Sequence, residues 1–330
     1  ESREHQSGAI DLELASRRSS WFQKALIIFY SVAKLWPRNS KDRPDLIYVH
    51  DFPMLIPGVL LRARSRAKLV YDSHELNGHA IGHVGLWSAA IIFIQKISWR
   101  YIDGFITVSD SIHDWFLGRF GAKKSVVILN TPMGAPRNTP KIEVPSIRER
   151  FEISASVPVF CYVGAFEPGR SIDLLLRAFR GRPGPSQLVF IGDGSLKGDI
   201  LRATEEGRNI KFHEPVQNWL LPQLLKDVDY GFVLIEPVSL SDEYSLPNKL
   251  FEYLDSGVTP IATGLPEIKK LVQEQGAGLL VDGSLEAVRN VVSQIESSAT
   301  KERRASLAPE HTWKSQRQAL RLFLRDIISS

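Results

Sequence analysis

The chain has 330 residues, 43% of them hydrophobic and 24% charged, with a net charge of +4. That length suits two domains of ordinary size, and that balance is the one of a soluble globular protein. A single cysteine, Cys161, excludes an internal disulfide and any zinc site built on cysteine spacing, and points to a reducing compartment.

The charge is uneven. Residues 1–150 hold 21 Lys and Arg against 14 Asp and Glu, a net of +7, while residues 151–330 hold 20 against 23, a net of −3. A basic first half suits an anionic surface or substrate. The chain starts at Glu1, so it carries no information about a signal peptide. The apolar stretches at 25–33 and 86–94 are shorter than the roughly 20 residues that span a bilayer. Both read as core helices. The alternative is a helix lying on a membrane surface, with Trp21, Lys24, Lys34 and Trp36 near the interface.

From residue 46 on, short apolar runs alternate with amphipathic stretches. Strands are expected at 46–50, 68–72, 104–109, 125–130, 159–164, 187–192, 209–214, 230–236, 258–263 and 278–282. Near-continuous apolar strands separated by helices imply parallel sheets covered on both faces. A proline-rich stretch at 130–146 without periodicity reads as the linker between two such sheets. The last helical stretch, 312–330, is amphipathic.

In open α/β sheets, ligands bind beyond the carboxyl ends of the strands. The residues that follow the expected strands are polar, glycine-rich or histidine-bearing: His50-Asp51, Ser73-His74-Glu75, Gly164 with "AFEPGRS", and "GDGSLKG" at 192–198. Gly192 and Gly194 in the last turn, followed by Lys197, could let backbone N–H groups approach a phosphate, or could form a simple tight turn. The spacing is not that of a dinucleotide fingerprint. Arg170 sits in a similar strand-to-helix turn. His50 and His74 at two strand ends would need a third ligand for a metal, for which Asp51 or Glu75 is available. "DVD" at 227–229 reads as a loop.

The stretch "EYSLPNKLFEYLDSG" (243–257) begins a helix beside these ends. Ser245 is a plausible N-cap and Pro247 suits the first turn. Leu250, Phe251 and Leu254 form the buried stripe, while Lys249 and Glu252, three apart, share another face. They form either an ion pair on a solvated face or a site in which Lys249 and the helix start attract phosphate and Glu252 accepts from sugar hydroxyls.

Taken together, "DLIYVHD", "KLVYDSHEL", "IDGFITVSDSI", "VVILNTP", "CYVGAFEPGRSIDLLLRAF", "LVFIGDGSL", "LPNKLFEYLDSGVTPIATGLPEI" and a late W-x-x-Q resemble the family 4 glycosyltransferases over nearly the whole chain. The "PNKLFEY" form resembles members that build bacterial surface polysaccharides. The resemblance implies a GT-B fold, with two Rossmann-like domains facing each other across a cleft. It places an N-terminal acceptor domain at 1–135, a linker at 136–152, a donor domain at 153–311, and a C-terminal helix at 312–330 that returns to the first domain. It implies a retaining hexosyltransferase that uses a UDP- or GDP-linked sugar, with no cofactor and no metal. The acceptor would be a glycan or lipid-linked glycan, and the location the cytoplasm, with membrane association at the inner face as an option.

By position, Glu252 matches the second glutamate of the family's E-x7-E motif, which binds the donor ribose. The first falls on Tyr244, next to Glu243. Ser245, Leu246, Pro247 and Asn248 form the loop before the helix that carries Lys249. Arg170 matches a basic diphosphate ligand, while its usual arginine partner falls on Ala165, so Lys249 or Lys197 is expected to compensate. His74 matches the active-site histidine, and Val216 the base-reading position. The family's first strand and Gly-rich loop have no counterpart before Asp45, which is read as a missing or altered N-terminal part. The competing readings are an epimerase on the same fold, a non-catalytic scaffold, and a dinucleotide-dependent oxidoreductase. Nucleic-acid binding lacks any recognition element.

Overall fold

The computed structural model describes residues 43–330 apart from 81–84, 137–138, 140–141, 208, 277 and 299–305. The expectations about residues 1–42, including the absent first strand and the helix at 25–33, lie outside the described residues.

Two parallel sheets are present. The first contains β1 (Leu46–His50), β2 (Lys68–Ser73), β3 (Gly104–Thr107) and β4 (Ser125–Val127), in the order β1-β2-β3-β4. Helices α1 (Asp51–Ser65), α2 (Gly85–Trp99) and α3 (Asp110–Phe120) connect them. The second sheet has the order β10-β9-β8-β5-β6-β7. Its strands are β5 (Val159–Val163), β6 (Gln187–Ile191), β7 (Ile210–His213), β8 (Tyr230–Val233), β9 (Thr259–Thr263) and β10 (Leu279–Val281). β5 and β9 are buried at every residue, as strands covered on both faces must be. This is the expected pair of Rossmann-like sheets facing a cleft.

Between β4 and the short α4 (Ile147–Phe151), the described residues form no regular element. Ser146 and Glu149 close a capping box that starts α4. The crossover helices are α5 (Ile172–Phe179), α6 (Lys197–Glu206), α7 (Leu221–Leu224), α8 (Leu240–Glu243), α9 (Asn248–Asp255), α10 (Pro266–Gln275) and α11 (Leu285–Ser297).

The C-terminal helix α12 (Trp313–Ser329) packs on the first sheet, with Ile327 and Phe323 against Val70, Ile106 and Ile128. Gly104 allows this approach, since a Cβ there would lie 2.9 Å from both the Ile327 and Phe323 side chains. The Gln of W-x-x-Q, Gln316, accepts from Leu129 N–H at 2.9 Å and donates to the Glu310 carbonyl at 2.9 Å. The chain end is thereby tied to the loop that leaves the first sheet.

α2 departs from a fully buried core helix. Ile91, Gln95, Ser98 and Trp99 face inward, whereas Leu86 is 90% and Phe93 62% exposed, with Trp87 and Ile97 also exposed.

Candidate active site in the cleft between the sheets

In the second sheet, β5 lies between β8 and β6, so the crossovers reverse direction there. Helix α9 is fastened at this point. The hydroxyl of buried Tyr253 accepts from Val163 N–H at 2.9 Å and lies 3.5 Å from the Phe232 carbonyl. Gly231 leaves room for that ring, because a Cβ there would come within 2.5 Å of it. Tyr253→Phe should therefore lower stability by about 1–3 kcal/mol, since it strands a buried N–H. Chemical denaturation checks this, and an unchanged midpoint would show that the bond contributes nothing.

A cleft of about 680 Å³ opens beside this junction. One wall carries His74, Glu75, Val108, Ile112 and Asn130 from the first sheet. The other carries Gly164, Ala165, Arg170, Asn218 and the run Ser245 to Lys249 with Glu252. Nine of the fifteen residues singled out from sequence line it: His74, Gly164, Arg170, Ser245, Leu246, Pro247, Asn248, Lys249 and Glu252. Glu243, Tyr244, Gly192, Gly194, Lys197 and Val216 do not.

Local geometry accounts for each of these six. A Cβ on Gly192 would lie 2.0 Å from the Gly164 carbonyl oxygen, and one on Gly194 within 2.6 Å of the Phe166 carbonyl oxygen. These glycines let two loops touch and so support the cleft from behind. Lys197 is neutralised by Glu214, at 2.8 and 2.9 Å from its two oxygens. Val216 packs on the second sheet's core. Tyr244 packs on the first domain's core, and its carbonyl accepts from Ser109 Oγ at 2.9 Å. Glu243 points to solvent. The acid of this segment that does reach the cleft is Asp242, held by Ser239 Oγ at 2.7 Å.

The helix start also differs from expectation. Pro247, in extended conformation, takes the cap position of α9, and Ser245 Oγ donates to the Asp242 carbonyl at 2.7 Å instead.

Lys249 Nζ lies over the Tyr162 ring, 3.8 Å from its centroid. Burial, the nearby Arg170 charge and only a partial offset from Glu252 push its ammonium down to about 7. Burial also raises the Glu252 carboxyl, and Lys249 eases that shift. Among the described residues, no carboxylate lies within 4.0 Å of either the Lys249 or the Arg170 charge, so the i,i+3 ion pair is not formed. Two basic side chains and a helix start share the cleft without a close ion pair to either, which is an arrangement for binding phosphate.

On the opposite wall, His74 Nε2 is 3.2 Å from Asp72 Oδ2, and its Nδ1 is 3.4 Å from Asn130 Nδ2. Its main-chain N–H donates to Asp51 Oδ1 at 2.9 Å. The Asp72 hydrogen bond raises the His74 imidazole. Asp72 Oδ2 also receives the Tyr48 hydroxyl at 2.6 Å and faces His50 Nδ1 at 3.3 Å. Burial alone would raise the Asp72 carboxyl, but these three contacts outweigh it and hold the group well below the usual carboxylate range. His50, Asp72 and His74 are thus gathered in one cluster. Asp51 accepts from the His74 backbone and Glu75 lines the cleft, so neither is the expected third ligand. Cys161 is buried in β5, and burial pushes its thiol up to about 12, which leaves it inert.

A missed signal is the short helix α8, which docks on the other domain. Leu76 N–H donates to Ser241 Oγ at 3.1 Å, and Ser241 N–H to the His79 carbonyl at 3.3 Å. Ser239-Leu240-Ser241-Asp242 carried a helix-capping pattern in sequence, since Ser239 accepts from Asp242 N–H.

Comparison with known proteins yields matches over both halves. A family described as "Glycosyltransferase Family 4" matches residues 2–131, and one described as "Glycosyl transferases group 1" matches residues 157–297. A curated chitobiosyldiphosphodolichol beta-mannosyltransferase of Candida albicans is 24% identical over 282 residues, covering 78% of this chain and 60% of that protein. The chain thus spans about 60% of the length of the curated relatives it matches. Among solved structures, sucrose-phosphate synthase from Thermosynechococcus elongatus superposes with a TM-score of 0.68 at 17% identity, covering 95% of this chain and 80% of that one. Anabaena HepE in complex with UDP-glucose gives 0.62 at 18% identity, covering 93% and 81%.

Proposed function

We propose that this chain, as a GT-B-fold relative of the group 1 and family 4 glycosyltransferases, moves a hexosyl group from a nucleotide-diphosphate sugar to a glycan or lipid-linked acceptor in cell-surface polysaccharide synthesis. The observation that carries this reading is that Arg170, in the turn before α5, and Lys249, in the first turn of α9, face the cleft together with Glu252, with no carboxylate within 4.0 Å of either cation. The diphosphate binds these cations and the first-turn N–H groups, which take up the charge that develops as the sugar leaves. Glu252, one turn on, accepts from the ribose hydroxyls. Asp242 supplies the acid that position 244 lacks. His74 meets the sugar from the opposite wall, and closure of the two domains excludes water.

The test is a thermal-shift panel of UDP, GDP, ADP, NAD and sugar conjugates on the wild type and Glu252→Ala. One nucleoside diphosphate should raise Tm by about 2–5 °C at saturating ligand, and the shift should vanish in Glu252→Ala. A shift with NAD alone would overturn the reading. Retention is part of the proposal. With the donor that binds, NMR of the product reads its anomeric configuration, and inversion would refute retention.

The name of the curated relatives, which contains chitobiosyldiphosphodolichol, supports a lipid-linked acceptor here. Among the described residues, no helix is long and apolar enough to cross a membrane. The exposed face of α2, with Leu86, Trp87, Phe93 and Ile97 beside Lys96 and Arg100, suits peripheral contact with an anionic bilayer at the cytoplasmic face. Flotation should recover the chain with anionic liposomes, and Trp87→Ser with Phe93→Ser should reduce that recovery. Equal failure to float with anionic and neutral vesicles would sink this part.

A further inference from the structure

We propose that the outward face of α12 and the groove at its start bind an acidic glycan, with carboxylates or phosphates along an extended chain, and that this polymer is the acceptor being built. The identity of the polymer as acceptor rests on the transfer proposed above, whereas the binding does not. The surface follows from the helix repeat. Gln316 and Ile327 are buried, and Leu320 and Phe323 pack with Ile327 on the first sheet. At about 100° per residue, Lys314, Arg317, Arg321 and Arg325 fall on the opposite side, and all four are exposed. The stripe from Lys314 to Arg325 is about 17 Å long.

The surroundings leave these charges open. Among the described residues, none of the four has a carboxylate within 4.0 Å. Elsewhere Arg62, Arg148, Arg182 and Lys197 each meet an acid. Asp326, the acidic residue of α12, pairs with Lys124 at 3.0 Å instead. Arg317, Arg321 and Arg325 follow one another four residues apart, and like charges at that spacing destabilise a helix. An anionic chain laid along the stripe relieves that repulsion.

A groove of about 590 Å³ lies at the start of the stripe, lined by Lys314, Arg317 and Arg321 with Trp313, Met133 and Asp255. Three cations against one carboxylate leave it positive. Trp313 and the exposed Met133 add apolar surface on which the C–H face of a sugar ring can pack. The groove continues from the cleft. Asn130 lines the cleft and Pro132, two residues on, lines the groove, a step of at most about 7 Å. A polymer whose growing end occupies the cleft therefore has the stripe within reach of the part already built. A bilayer fits this face less well. Trp99 of α2 packs with Leu69, Tyr71 and Phe105, whereas Ile327 of α12 packs with Val70 and Ile106. Successive strand residues point to opposite faces, so α2 and α12 cover opposite sides of the first sheet, and a flat surface that meets α2 does not meet α12.

The experiment uses the full chain and a fluorescein-labelled oligogalacturonate, with binding read by anisotropy. The wild type should bind this probe, neutral dextran should not compete, and added salt should weaken the complex as counterions return. Arg317→Glu with Arg321→Glu should weaken binding by about 10-fold or more and flatten the salt dependence, since fewer counterions are released. Both side chains are exposed, and circular dichroism checks the fold. Arg64→Glu with Arg66→Glu makes the same charge change at the end of α1. That pair should change affinity by less than about twofold, because charges more than about 10 Å away are screened at about 0.1 M salt. No binding by the folded wild type, equal loss in both pairs, or equally tight binding of duplex DNA would overturn the proposal. Loss of anionic-liposome flotation in the Arg317→Glu, Arg321→Glu variant would overturn it as well, by assigning the stripe to a bilayer. The thermal shift with nucleoside diphosphate should be unchanged in that variant. A failure here therefore leaves the donor reading standing, and a failure of the nucleotide panel removes only the identity of the polymer as acceptor.

Discussion

In the proposed sugar transfer, Lys249→Ala should lower the rate by about 100- to 1000-fold, the loss typical when one preorganised group is removed from a developing negative charge. Lys249 lines the cleft with the Tyr162 ring beneath it and, among the described residues, no carboxylate within 4.0 Å. Burial and the Arg170 charge push its ammonium down to about 7. An unfolded lysine titrates near 10.4. Between these values the unfolded chain binds more protons, so this residue makes stability rise with pH across that window, and below it the enclosed charge is a cost. A bound diphosphate reverses the balance and draws the proton back. Diphosphate binding at pH 8 should therefore be accompanied by proton uptake, and affinity should fall as pH rises above 7. Calorimetry in two buffers of different ionisation enthalpy reads the uptake directly. Lys249→Met, which keeps the stem over Tyr162, should abolish it. Uptake that persists in Lys249→Met would assign the proton to another group and remove the central claim of the phosphate site.

Gly192→Ala destabilises the chain by about 3 kcal/mol or more, at the upper end of overpacking effects. The added methyl would stand 2.0 Å from the Gly164 carbonyl oxygen, a backbone atom that has no rotamer in which to escape. The backbone at Gly192 also has φ of 148°, where side chains are strained. The damage extends to function, because Gly164 lines the cleft and sits against Lys249. Gly198→Ala is the control, since that Cβ, on helix α6, meets nothing nearer than Arg202 Nη1 at 3.7 Å. It should be neutral or stabilising by up to about 1 kcal/mol. Thermal and denaturant unfolding of both variants gives the comparison. Equal midpoints would show that the two loops do not need their close contact.

The strands at 46–50, 159–163 and 187–191 were legible from apolar runs alone, and so was the buried stripe of α9, because such patterns repeat within a few residues. Their parallel pairing followed from the helices between them. His74, Lys249 and Glu252 were legible as strand-end and helix-start residues, where backbone geometry turns side chains toward a sheet edge.

The partners of those residues were not legible. Lys197 and Arg170 look alike in sequence, yet Glu214 from the end of another strand neutralises only the first. Tyr244 and Asp242 are two residues apart, and only docking of α8 on the opposite domain decides that Asp242 faces the cleft. Asp51 and Glu75 adjoin the two histidines in the chain, but Asp72 joins them in space because β1 pairs with β2 in the register that sets His50 beside it. What the sequence by itself determined is the set of elements and the ends that carry polar chemistry, since periodicity and turn residues act over a few positions. What only the tertiary structure decided is which charge meets which, since strand register and domain docking join residues that no local pattern connects.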